Sequence, residues 1–160
     1  MVIVSLPYQF RQPLRVPAKA AFSWCTQFES ADGRLFSQKT VRSVRWLNPD
    51  TAILTDLTFP GGRRRRIRRL VRIDPQRMAW TNTHLDGPFR HSQFWYRIVP
   101  DGTSASHLEF DGLKLEFSRQ ALTPAEIARR ARANRDSDAG EWRRRLAPAL
   151  EAEVASHPRG

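Results

Sequence analysis

Hydrophobic and polar positions alternate along much of the chain, and two stretches with a longer period divide it into three parts. Residues 2–16 read as an extended first strand. Val2, Val4 and Leu6 alternate with Ile3 and Ser5, and Pro7 and Pro13 suit a sheet edge, where a missing N–H costs no ladder bond. Val16-Pro17 then opens a helix, with Pro17 expected at the first helical position. Ala18, Ala20 and Ala21 favour it, and Phe22, Trp24, Cys25 and Phe28 give it an apolar face. Ala31-Asp32-Gly33 interrupts the pattern, and Leu35-Phe36 is placed in a second short helix or turn.

From residue 40 the period falls to two. Residues 40–47, 51–59, 66–73, 78–84, 92–99 and 105–117 are rich in Val, Ile, Thr, Trp, Phe and Tyr and read as strands. Between them lie Asn48-Pro49-Asp50, Pro60-Gly61-Gly62, Asp74-Pro75-Gln76, Asp86-Gly87-Pro88 and Pro100-Asp101-Gly102, all turn signals. Connections this short join antiparallel neighbours, so the strands form a meander. The remainder is helical. Thr123-Pro124-Ala125-Glu126 is a capping box with Pro at the first helical position. The polar stretch 134–137 predicts a break, and Asp138-Ala139-Gly140-Glu141 a second start. A final helix then runs over about 141–155, where Trp142, Leu146, Ala149, Leu150 and Val154 form one apolar stripe. Pro148 is expected to kink it.

This order predicts one α+β domain over residues 1–160: a curved seven-stranded antiparallel sheet, two short helices after its first strand, and a long C-terminal helix closing it. A strongly bent sheet and a straight helix do not pack flush along their whole length. A void that persists against the tendency of interiors to close-pack is a candidate ligand site. Three stretches carry a family likeness: Val16-Pro17-Ala18 leading into Ala21-Phe22-Ser23-Trp24, Phe94-Trp95-Tyr96-Arg97-Ile98 followed by Pro100-Asp101-Gly102-Thr103, and the long C-terminal amphipathic helix. In these the chain resembles the START-like, helix-grip (Bet v 1-like, SRPBCC) superfamily, within it the polyketide cyclase/dehydrase and lipid-transport proteins. The extra helical segment 123–133 departs from the shortest members. The resemblance implies a pocket for a lipid, polyketide, hormone or aromatic compound. It carries over no catalytic residue, because the superfamily shares no catalytic set.

Composition narrows the setting. The 40% hydrophobic content and five Trp argue against disorder. No apolar run reaches the length of a membrane span. The N-terminal residues lack a basic start and long apolar core, and a lone cysteine, Cys25, allows no internal disulfide, so a cytoplasmic setting is the expectation. The net charge of +11 is almost all arginine, the lysines being Lys19, Lys39 and Lys114. Arginine suits phosphate and carboxylate forks, although a GC-rich coding bias produces the same excess.

Candidate chemistry is sparse. His84, His91, His107 and His157 form no metal-binding spacing, Gly61-Gly62 is not followed by a P-loop Lys-Ser/Thr, and there is no GxSxG elbow. No metal or cofactor is expected. On the sixth strand Phe94, Tyr96 and Ile98 share the more apolar face, and on the fifth Met78, Trp80, Asn82 and His84 share one. The predicted pocket lining is Trp80, Asn82, Phe94, Tyr96, Phe110, Trp142 and Leu146. Asp56 lies mid-strand between Leu54 and Thr58, where a buried carboxylate needs a partner, and Arg69 on the next strand is one. If His84, Asp56 and Tyr96 faced the cavity together, acid–base work beside a carbonyl becomes possible; the alternative is solvent-facing or structurally paired groups. Cys25 beside Trp24 reads as core. Arg63, Arg64, Arg65 and Arg66, in a turn that continues through Arg68 and Arg69, suit an anionic membrane surface or phosphates, or serve as a solvated edge that blocks strand pairing. No helix-turn-helix, zinc finger or single-strand motif accompanies them, which argues against nucleic acid. Three functions follow: an apolar small-molecule binder, a cyclase- or dehydratase-type enzyme, or a module that binds nucleic acid or an anionic membrane through the arginine-rich turn 63–69. The sequence gives no oligomeric state.

Overall fold

A computed structural model describes residues 1–28 and 40–157. Seven strands form one antiparallel sheet: β1 (Val2–Leu14), β2 (Val41–Asn48), β3 (Thr51–Thr58), β4 (Arg65–Asp74), β5 (Ala79–His84), β6 (Gln93–Pro100) and β7 (Ser106–Ser118). Their spatial order is β1-β7-β6-β5-β4-β3-β2, so β2 to β7 make the expected meander and β1 returns to pair with the last strand. Pro7 and Pro13 lie on β1, an edge strand, where their missing donors disturb no inner ladder. Helix α1 (Ala18–Cys25) follows β1. Pro17 caps it from outside, at φ −58° and ψ 146°, instead of forming its first turn. The expected second short helix lies outside the described residues.

The C-terminal element is longer than expected. Helix α2 (Pro124–Glu141) passes through a five-residue π turn (Trp142–Leu146) into α3 (Ala147–Ser156). The capping box at its start forms fully: the Thr123 side chain accepts from the Glu126 N–H, and the Glu126 carboxylate accepts from Thr123. The predicted break at 134–137 is absent. Polar side chains interrupt a helix only when they capture its backbone groups. Here Asn134 accepts from Lys114, and Asp138 accepts from Tyr8, so the backbone ladder is left intact. The disturbance expected from Pro148 takes the form of the π turn. Pro148 has no N–H for the carbonyl one turn back, and the Ala147 N–H instead reaches the Trp142 carbonyl.

The C-terminal stripe packs onto the sheet as its spacing dictates. Trp142, Leu146, Ala147 and Leu150 join Leu14, Ala21, Leu54, Val71, Trp80, Ile98 and Leu108 in one buried cluster. Leu150 is wholly enclosed, a burial that contributes roughly 1.5–3 kcal/mol. A second, aromatic cluster of Tyr8, Phe94 and Phe110 adjoins it through Phe10 and Tyr96, which pack against both. Beside these clusters, between the sheet and the helix, part of the concave face is left unfilled.

Candidate functional site: a cavity between the sheet and the C-terminal helix

Strand alternation builds the cavity. Trp80, Asn82 and His84 come from β5, Phe94 and Tyr96 from β6, Phe110 and Lys114 from β7, Ile67 and Arg69 from β4, and Leu54 and Asp56 from β3. Asp138, Trp142 and Leu146, at four-residue intervals, close it from the helix side. Its volume is about 440 Å³, within the range of small-molecule sites. Every residue expected to line a pocket does so, and the three candidate catalytic groups His84, Asp56 and Tyr96 line the same cavity. Cys25, read from sequence as core, is only partly buried and also lines the cavity.

Aromatic rings make up the floor. Trp80 and Tyr96 are register partners and stack face to face, centroids 4.9 Å apart at 1°. Tyr96 meets Phe110 edge-on at 5.1 Å, and Phe110 stacks on Phe10 at 4.5 Å. Gly112 makes this possible. It pairs with both Tyr8 and Phe94, and a Cβ there would stand 2.8 Å from the Phe110 ring and 3.1 Å from the Phe94 ring. The Tyr96 phenol is pushed up from its ordinary pKa, first by burial and then by the charge of Asp138, so it stays a neutral hydroxyl.

One polar wall runs across β2 to β5. Asp56 accepts from Arg42 through both oxygens, at 2.7 and 2.9 Å, and from Arg69 as well. Burial alone would raise this carboxyl. The hydrogen bond from Arg42 and the charges of Arg69 and Arg42 outweigh it and hold the carboxyl below its usual range. Arg69 was the expected partner; Arg42, its register mate across β2–β3, was not foreseen. Arg69 Nε also donates to His84 Nε2 at 3.3 Å, which places the His84 proton on Nδ1. Burial first, then the charges of Arg69 and Lys114, push His84 down to about 4. His84 is therefore neutral near pH 7, with one nitrogen already engaged. Beside it the Asn82 Oδ1 is buried without a partner among the described residues.

A second polar group closes the opposite side, and sequence reasoning missed it. Tyr8 donates to Asp138 Oδ2 at 2.5 Å. Burial and then this bond raise the Tyr8 phenol, and burial raises the Asp138 carboxyl despite the hydrogen bond from Tyr8 and the charge of Lys114. Lys114 donates to Asn134 at 2.8 Å and sits 4.0 Å over the Phe89 ring. Asp138 had a signal: it lies one turn before Trp142 on the apolar stripe, an acidic residue where the pattern demands an apolar one.

Arg63, Arg64 and Arg66 are exposed at the β3–β4 turn, away from the cavity lining, and Arg65 is half-buried there. No group of side chains able to hold a metal ion is found among the described residues.

No family model and no curated protein matches the chain. Solved structures do. The ZhuI aromatase/cyclase from Streptomyces sp. R1128 superposes with a TM-score of 0.68 at 14% identity, over 98% of this chain and 97% of that one. Norcoclaurine synthase from Thalictrum flavum, in complex with dopamine and hydroxybenzaldehyde, gives 0.71 at 11% identity, over 99% and 91%. A START superfamily protein from Mycobacterium smegmatis gives 0.64 at 17% identity, over 94% and 97%. The chain therefore has the START/Bet v 1 (SRPBCC) helix-grip fold.

Proposed function

We propose that the protein binds one hydrophobic small molecule, aromatic or polyketide-like and bearing oxygen substituents, between the sheet and the C-terminal helix. The observation that carries this reading is the cavity of about 440 Å³ with a stacked aromatic floor and an unpartnered Asn82 carbonyl in its wall. Rings of the ligand lie against Trp80, Tyr96 and Phe110, and a ligand hydroxyl donates to Asn82 Oδ1. The aromatic molecules bound by the norcoclaurine synthase neighbour agree with this class of occupant. Trp80 and Trp142 line the cavity, so saturable quenching of tryptophan emission by hydroxylated naphthalenes or anthraquinones is the direct test. Native mass spectrometry of gently purified protein should show a co-purifying adduct of the same class. Absence of both saturation and adduct removes the proposal.

A second reading, a cyclase- or dehydratase-type enzyme, is favoured by the Tyr8–Asp138 pair and the neutral His84 facing one cavity. Against it, Asp56 is fully committed to two guanidinium groups and His84 Nε2 to Arg69, so neither is a free base in this arrangement. Turnover of a synthetic poly-β-ketone, abolished by Asp138→Asn with binding retained, would establish it; unchanged product with and without protein would remove it.

A further inference from the structure

Beyond the cavity, the largest feature left without a role is the tip of the β3–β4 hairpin. Phe59 stands 45% exposed before the turn at Pro60–Gly62, and Arg63 and Arg64 follow it into solvent. The turn needs its glycines: Gly61 and Gly62 have φ of +57° and +77°, a backbone that side chains resist. Among the described residues, no ion pair involves Arg63, Arg64, Arg65 or Arg66. The β5–β6 loop lies alongside, where the Leu85 N–H bonds the Arg68 carbonyl and Gly87 faces Ile67. Leu85 is itself 38% exposed. The acidic residue in this loop, Asp86, is taken by Arg68 at 2.7 Å, and among the described residues no carboxylate pairs with the tip arginines.

We propose that this tip docks on an anionic lipid bilayer, with the arginines on phosphate headgroups and Phe59 and Leu85 in the interfacial layer. Charge complementarity supplies the first argument: unpaired guanidinium groups crowded on one turn match a dense phosphate surface. The exposed Phe59 at the turn, with Leu85 further back beside Arg68, supplies the second, because a purely polyanionic partner gives apolar side chains nothing to enter. Position supplies the third. Thr58 and Ile67, flanking the tip on the same hairpin, line the cavity, so docking brings the cavity wall within one hairpin of a store of apolar molecules. The surface works independently of what occupies the cavity.

The test is co-sedimentation with vesicles of phosphatidylcholine alone and of phosphatidylcholine mixed with phosphatidylglycerol. The protein should bind only the mixed vesicles, and more weakly as salt rises. Arg63→Gln/Arg64→Gln/Arg65→Gln together should lower partitioning on the order of a hundredfold, from about fivefold for each arginine. Phe59→Ser, which leaves the charge unchanged, should lower it severalfold. No binding to mixed vesicles, equal binding to both kinds, or indifference to the arginine substitutions overturns the proposal. Duplex DNA that displaces the vesicles, together with an unaffected Phe59→Ser variant, overturns it in favour of nucleic acid. Tryptophan quenching by a hydroxylated naphthalene without vesicles should be unchanged in the arginine variant. That separates failure of docking from failure of the cavity or of folding.

Discussion

His84→Gln tests how strongly the cavity wall holds its histidine neutral. The unfolded chain takes a proton on this ring below its ordinary pKa of 6.5, whereas the native ring resists down to about 4. A native pKa that is depressed means stability fully present above the unfolded value and lost as pH falls toward the native one. Over that interval the full loss is about 3.4 kcal/mol, at about 1.4 kcal/mol per pH unit. At about pH 4.5 roughly 2.5 kcal/mol of it has gone, and partial solvent access reduces that to about 2 kcal/mol. Gln is the replacement of choice because its Oε1 keeps an acceptor for Arg69 Nε but takes no proton. Urea unfolding of both proteins at about pH 7.5 and pH 4.5 removes the contribution of every group they share. Wild type should lose about 2 kcal/mol more than the variant between the two conditions. Equal losses would show that the ring titrates normally and that burial and Arg69 do not govern it.

Three further outcomes follow from the packing. Asp56→Asn should destabilise by about 3–5 kcal/mol in chemical denaturation, because Arg42 and Arg69 lose the carboxylate they share in a nearly dry wall; a loss under about 1 kcal/mol would contradict that account. Gly112→Ala should cost about 1–3 kcal/mol and weaken quenching by aromatic ligands, since the new methyl displaces the Phe110 and Phe94 rings. Thr123→Ala should cost about 1 kcal/mol of thermal stability through loss of the capping box, with ligand binding unchanged.

Period, residue type and turn signals together revealed every strand after residue 40, and parity told which residues of β5 and β6 share a face. It grouped Trp80 with Asn82 and His84, and Phe94 with Tyr96, for that reason, and left open whether His84 faced the cavity, which it lines. Arg42 escaped because nothing local distinguishes it from the other arginines; only the pairing of β2 with β3 sets it opposite Asp56. Tyr8 escaped for the same reason at longer range, its helix-side partner being Asp138. Asp138 itself was misread as the cap of a new helix, since Asp starts helices more often than it faces a cavity. The polar run before it looked like a break because the partner of Asn134, Lys114, lies on the sheet, beyond the reach of any window.

The return of β1 to β7 has a consequence for how the polypeptide matures. Strands β2 to β6 join through short turns and are able to assemble as they leave the ribosome. Leu6 and Tyr8 wait for Lys114 and Gly112, which are made much later. Closing so long a loop is slow in proportion to its entropy. Until then the proline-punctuated β1 lacks its strand partner, and the cavity lacks the side that Tyr8 supplies. On the proposed function, a guest enters only once β7 and the C-terminal helix that follows it have been made.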